Sequence, residues 1–208
     1  MNKYILPVLL KNSEDIKADF DSIPSGRLIL LRDLARYISG KKSEHKPVNL
    51  IFICTHNSRR SHMSHLWAVA ASIYYNITGV NCFSGGTEAT SFNYRAVEAL
   101  QNSGFQIVKK DDSSNPIYLV SMADNSEPIE TFSKRYDDPF NPQLDFAAIM
   151  TCSEADEACP VVIGADARFS VSYNDPKEAD GTAMEAERYA ARSRQIAAEM
   201  LYLFSKVK

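Results

Sequence analysis

The sequence predicts an α/β fold: a small parallel sheet of about four strands flanked by helices, preceded by a helical extension. Three observations carry this expectation. Short apolar runs alternate with segments of helical period, the pattern of βαβ units. The run Val48-Asn-Leu-Ile-Phe-Ile53 is apolar almost throughout, as a strand covered on both faces must be. The first 47 residues show helical spacing but no strand pattern.

The elements follow in order. Ser13-Glu-Asp begins a capped helical segment, and Ile29, Leu30, Leu34 and Ile38 recur at helical spacing until Gly40. Residues 41–47 are polar and read as a linker, dividing a helical extension (1–47) from an α/β domain (48–208). Within that domain, residues 48–53 form a strand and 61–75 a helix with Met63, Leu66, Trp67 and Ala70 toward a core. A second strand spans 80–83, ahead of Ser84-Gly-Gly86, and a helix at 93–103 stops at Gly104. Residues 105–145 break the rhythm. A strand is expected at 117–121, a turn at 124–128, a further strand or irregular chain at 131–136, and a loop at Asp137-Asp-Pro-Phe-Asn-Pro142. Strands at 146–150 and 169–173 and a closing helix at 183–206 complete the pattern.

Composition narrows the function classes. A hydrophobic fraction of 45% supports a substantial core, and a net charge of −3 provides no global field for nucleic acid or an anionic membrane. No run of 18 apolar residues is present, and the N-terminus lacks a small-residue cleavage site, so a cytoplasmic protein is expected. In a reducing compartment Cys54, Cys82, Cys152 and Cys159 are expected as thiols or catalytic groups, with Cys82 as inert packing in a strand.

The chemistry concentrates at Cys54-Thr-His-Asn-Ser-Arg-Arg60-Ser61, between a strand and a helix. A loop leading into a helix N-terminus offers free N–H groups and a favourable dipole to an oxyanion. Arg60 can give two parallel donors to two oxygens, and the same field favours a Cys54 thiolate. The candidate binding residues are therefore Thr55, His56, Asn57, Ser58, Arg59, Arg60 and Ser61, with Arg59 on the rim or toward solvent. The bland alternative is a buried structural cysteine with two surface arginines. Asn57 suits a left-handed loop position, and Ser61 can hydrogen-bond the thiolate.

Two more constellations lie after strands, on the edge where ligands of parallel sheets bind. Met150-Thr-Cys152-Ser-Glu-Ala-Asp-Glu-Ala-Cys159-Pro160 spaces two cysteines seven positions apart. They can be unrelated thiols or an active pair. Zinc would need two further ligands. His62 and His65 could face one metal but lack Cys-x2-Cys company, so they are expected as ordinary polar helix positions and no metal is assigned. In Tyr173-Asn-Asp175-Pro176, Asp175 sits on a turn before the last helix, where a carboxylic acid can protonate a leaving oxygen; Asp138-Pro139 competes for that role.

From residue 48 onward the chain resembles the low-molecular-weight protein tyrosine phosphatase superfamily, including its thioredoxin-coupled arsenate reductases. The Cys54–Ser61 segment resembles the phosphate-binding loop, Ser84-Gly-Gly86 the small-residue turn after the second strand, and Asp175-Pro176 the general-acid loop. Thr151-Cys152 through Cys159-Pro160 resembles the redox segment of the arsenate reductase branch. The resemblance implies a three-layer phosphatase-like fold. It also implies Cys54 as nucleophile, Arg60 as oxyanion ligand, Asp175 as acid and Cys152/Cys159 as redox pair. Arsenate, phosphate or a phosphomonoester would be the substrate and thioredoxin the reductant, without a cofactor. The alternative is a phosphatase acting through a cysteinyl-phosphate. His56 stands where the family usually has glycine and Arg59 where cysteine is common. The stretch 115–142 is longer than the usual connection.

Overall fold

The computed structural model describes residues 5–124, 126–159 and 161–208. The first four residues of the extension, Asn125 of the 124–128 turn, and Pro160 at the end of the two-cysteine motif lie outside the described residues.

Four parallel strands make the central sheet: β1 (Val48–Cys54), β2 (Val80–Gly86), β6 (Phe146–Met150) and β7 (Ala165–Ser170), in the order β2-β1-β6-β7. β1 is central and almost wholly buried because apolar groups cover both its faces. Leu50 and Phe52 face the larger core with Met63, Trp67 and Leu201, whereas Ile51 and Ile53 face a smaller one with Phe146, Met150 and Val162. Period-2 alternation thus splits one continuous apolar run between two cores.

Helix α3 (Arg60–Tyr74) follows β1, α4 (Tyr94–Asn102) follows β2, and the short α5 (Ser153–Ala158) follows β6. The closing helix α6 (Glu185–Ser205) buries Ile196, Ala197, Met200, Leu201, Leu203 and Phe204. The sole tryptophan, Trp67, is fully buried, stands edge-on to Phe105, and donates Nε1–H to Ser193 of α6 at 2.9 Å. That bond satisfies the indole donor that burial would otherwise orphan.

The extension is helical. It comprises α1 (Pro7–Ile16), a 3₁₀ turn (Lys17–Ser22) and α2 (Ser25–Ser43), which continues three residues past Gly40 into the expected linker. Leu9, Ile16, Ile23, Leu31, Leu34 and Ile38 are buried in the larger core beside α6.

The structure redraws the middle of the chain. β3 (Gln106–Lys109), β4 (Tyr118–Ser121) and β5 (Ile129–Thr131) form a separate antiparallel sheet in the order β3-β4-β5. β3 was not expected, and β5 ends where the second strand of this region was placed; residues 132–136 run as a bonded loop instead. The fourth parallel strand lies at Ala165–Ser170, shifted toward the N-terminus from the expected 169–173. Its alternating exposure, typical of an edge strand, hides it from a search for apolar runs.

Candidate active site

Both loops of the site leave the same sheet edge. β1 and β6 pair in parallel with Ile53 opposite Met150, so the chain after Cys54 and the chain after Met150 emerge side by side. Thr151 reinforces this join, donating N–H and Oγ1–H to the Ile53 carbonyl at 2.7 and 2.8 Å.

Cys54 ends β1, buried, with Sγ 3.1 Å from the Ser61 hydroxyl. Asn57 takes a left-handed backbone (φ 44°), which Asn tolerates better than most residues. Its Nδ2 donates to Ser61 Oγ at 2.8 Å, and its Oδ1 accepts the Lys134 N–H at 2.9 Å. One buried side chain thereby ties the loop to α3 and to the 132–136 segment. Ser133 Oγ and Thr90 Oγ1 donate to the His56 carbonyl at 3.0 and 3.2 Å, and Asn93 N–H to the Ser58 carbonyl at 2.9 Å. Gly86 must be glycine. A Cβ there would lie 2.2 Å from the Glu88 carbonyl oxygen and 2.7 Å from the Asn57 nitrogen. Arg59 precedes α3, and no side chain caps the helix, which leaves its first-turn amides for an anion.

Arg60 is buried at the base of a cleft of about 540 Å³ lined also by Glu154, Tyr173, Asp175 and Lys177. Its Nη1 donates to the Tyr173 carbonyl at 3.0 Å and lies 3.5 Å from Glu154 Oε2; Nη2 donates to Asp175 Oδ2 at 2.8 Å. Asp175 caps the 3₁₀ turn Pro176–Ala179 by accepting the Lys177 N–H at 3.1 Å. Asp138 instead accepts the Phe140 N–H within its own turn.

Cys152 caps α5 at its N-terminus and Cys159 at its C-terminus. Cys152 is fully buried, with Sγ 3.5 Å from Thr55 Oγ1 and 3.4 Å from the Ala155 N–H. Burial pushes its thiol pKa up, opposed by the Thr55 hydroxyl, the Ala155 amide and Arg60. Cys159 is half-buried beside Tyr136. All four cysteines are free thiols, and burial pushes Cys82, on β2, up to about 12.

No protein-family model matches the chain. By sequence it is 25% identical over 157 residues to an arsenate reductase of Bacillus licheniformis, spanning 76% of this chain and 94% of that protein. A second arsenate reductase, of Halalkalibacterium halodurans, is 25% identical over 145 residues, with 70% and 84% covered. Among solved structures, a low-molecular-weight protein tyrosine phosphatase of T. tengcongensis superposes with a TM-score of 0.52 at 19% identity, covering 77% of this chain and 99% of that one. A mutant of YwlE from Bacillus subtilis gives 0.52 at 16%, covering 76% and 97%. The fold is that of the low-molecular-weight phosphatases. About a quarter of the chain lies outside each of these two superpositions, which take in nearly all of the phosphatase.

Within this phosphatase fold Arg59 takes the rim, one of its two expected places, rather than solvent. Its Nε donates to the Tyr189 hydroxyl at 3.0 Å, and Nη1 lies 3.7 Å from Asp175, so α6 and the 175 turn hold it on the rim. His56 points outward, exposed, 3.6 Å from Glu88, and leaves the loop open. His62 and His65 are not ordinary polar positions, because α3 is enclosed on all sides over its first half. His62 stacks on Phe92 and bonds Ser84 Oγ at 3.1 Å. Burial, with Lys134 nearby, holds its pKa well below the usual value, and lowers that of His65 to about 3. Glu154 and Tyr173 lie within motifs singled out for their neighbours, whereas nothing local marks Ser133, Lys134 or Tyr189 as site neighbours. These last three arrive from distant segments, and Lys134 bonds the loop, as Tyr173 bonds Arg60, through backbone atoms that no side-chain pattern reveals.

Proposed function

We propose that the chain is a cytoplasmic arsenate reductase whose reductant is thioredoxin, with residues 48–208 carrying the chemistry and residues 1–47 an appended helical extension. The observation that carries this reading is the 3.5 Å contact between Cys152 Sγ and Thr55, the residue after Cys54, with Cys159 at the other end of α5. The identity to two arsenate reductases supports it.

In this reading Arg60, Ser61 and the amides of the loop and α3 bind arsenate, and the Cys54 thiolate attacks arsenic with loss of water. The Cys152 thiolate then attacks Cys54 sulfur. The sulfur–arsenic bond breaks, its electron pair leaves with arsenite, and a Cys54–Cys152 disulfide forms. Cys159 attacks Cys152 and frees Cys54 as thiolate. Thioredoxin's two thiols reduce Cys152–Cys159 and are themselves oxidised. Each exchange needs a thiolate, and Thr55 and Ala155 N–H lower the cost of forming it at buried Cys152.

The second reading is a phosphatase, favoured by the 2.8 Å Arg60–Asp175 contact. Cys54 would take the phosphoryl group while Asp175 protonates the leaving oxygen, then activates water. Arsenate-dependent oxidation of thioredoxin, measured beside para-nitrophenyl phosphate hydrolysis, decides between them. Reduction is expected in the wild type and absent in Cys54→Ser. Ester hydrolysis without arsenate turnover would make the chain a phosphatase.

A further inference from the structure

We infer that Arg27, at the start of α2 in the N-terminal extension, is a positioning residue for the Asp175 turn. Arg27 Nη2 donates to the Ser172 carbonyl at 2.5 Å, three residues before Asp175. Its Nε lies 3.5 Å from Glu199 Oε2 on α6, and its guanidinium stands 5.3 Å from the Tyr173 ring centroid, within cation–π range. Tyr173 donates its hydroxyl to the same Glu199 oxygen at 2.8 Å, and Gln195 Nε2 reaches Oε1 at 3.4 Å. Glu199 and Tyr173 are both buried, and burial raises the Glu199 pKa while Arg27 is the main group opposing it.

The chain of contacts ends in the site. The Tyr173 carbonyl accepts from Arg60, and Asp175, two residues on, accepts from the other Arg60 nitrogen. The turn bearing Asp175 is thus held between Arg60 on the inside and Arg27 on the outside. A buried carboxylate stripped of its cation is costly, so loss of Arg27 favours Glu199 taking a proton or the turn moving to bring in water. Either change reorients Tyr173 and, through it, Asp175. Arg32, one turn or so further along α2, is a natural comparator. It also ties α2 to α6, donating to the Tyr202 hydroxyl at 2.7 Å, but among the described residues none of its hydrogen bonds or ion pairs leads to residues 172–175.

The catalytic consequence rests on the assignment of Asp175 as acid, so the test has two readouts. In the full chain, amide hydrogen exchange is compared for wild type, Arg27→Ala, Arg27→Lys and Arg32→Ala. Arg27→Ala should speed exchange across residues 172–179 by about tenfold or more while β1 stays protected, with partial recovery in Arg27→Lys and no local change in Arg32→Ala. Unchanged exchange at 172–179 in Arg27→Ala would overturn the inference whatever the protein catalyses. The second readout is hydrolysis of phenyl phosphate against 2,4-dinitrophenyl phosphate. Arg27→Ala should lose about tenfold in kcat on the phenyl ester, which needs a proton on its leaving oxygen, and little on the dinitrophenyl ester. The loss should vanish in an Asp175→Asn background. Equal losses on both esters would overturn the positioning role. If wild type hydrolyses neither ester, the acid assignment fails, and the exchange comparison still decides whether Arg27 holds the turn.

Discussion

At the scale of single residues, the two adjacent arginines divide their labour by where α3 begins. Arg60, inside the first turn, is buried and faces the cleft; Arg59, one position earlier, is turned to Tyr189 of α6. Arg60→Lys removes the planar fork and should lower kcat by about 10²–10³, the cost of losing an oxyanion donor. Arg59→Lys should cost less than about tenfold. Steady-state kinetics on one substrate ranks the two, and the reverse order would mean that Arg59 is the oxyanion ligand. Asp175→Asn removes a transferable proton while keeping a side chain able to accept from Lys177. Phenyl ester hydrolysis should fall by about 10²–10⁴, with a far smaller loss on an activated ester. A larger loss from Asp138→Asn would move the acid to the 137–142 loop.

Among the elements, α5 carries the most specific expectation. Six helical residues stand between Cys152 and Cys159. At 1.5 Å per residue the helix holds their Cα atoms roughly 10 Å apart, whereas a disulfide needs about 4.4–6.8 Å. The helix must therefore open once per turnover if the pair is a redox pair. Cys152→Ser and Cys159→Ser should each abolish multiple-turnover arsenate reduction yet leave ester hydrolysis within about twofold, because neither sulfur serves the phosphoryl pathway. Sustained arsenate turnover in both variants would remove the pair from the mechanism.

The elements also show what was legible in the sequence. β1, α3, β6 and α6 appear within one or two residues of where apolar period and capping place them, because each buries a strong apolar face. The Cys54–Ser61 loop was visible for the same reason: its flanks are unambiguous. β3 and β5 were not, being only four and three residues long, with β3 largely exposed. The buried state of His62 and His65 was hidden because it depends on Phe92, Ser84 and Lys134 converging from other segments. No local pattern distinguishes a polar residue facing solvent from one enclosed by a loop that arrives seventy positions later.

For the whole molecule, those two histidines set an acid limit. Both have pKa values depressed in the folded state, so the unfolded chain binds more protons below about pH 6.5. Their contribution to stability is complete above that pH and is lost as pH falls toward the folded value, about 3 for His65. Between pH 6.5 and 5, His65 alone should remove about 2 kcal/mol, with a loss of the same sign from His62. Urea unfolding at pH 7.5 and 5 measures it, and His65→Leu should flatten the dependence. An unchanged slope in that variant would mean His65 is hydrated.

The pairing of β1 with β6 has a kinetic consequence. Cys54 and Cys152 are 98 positions apart in the chain, and the parallel pairing of β1 with β6 brings them to one edge. Non-local pairings of this kind form late, after a loop-closure cost that local helices do not bear. A refolding chain therefore buries its helices before it owns an active site, with Cys54 and Cys152 solvated and open to the wrong partner meanwhile. Trp67 fluorescence should change ahead of regained turnover, and excess reductant present only in that interval should raise the final yield. The thiol poise of the surroundings then governs how many molecules reach the native state.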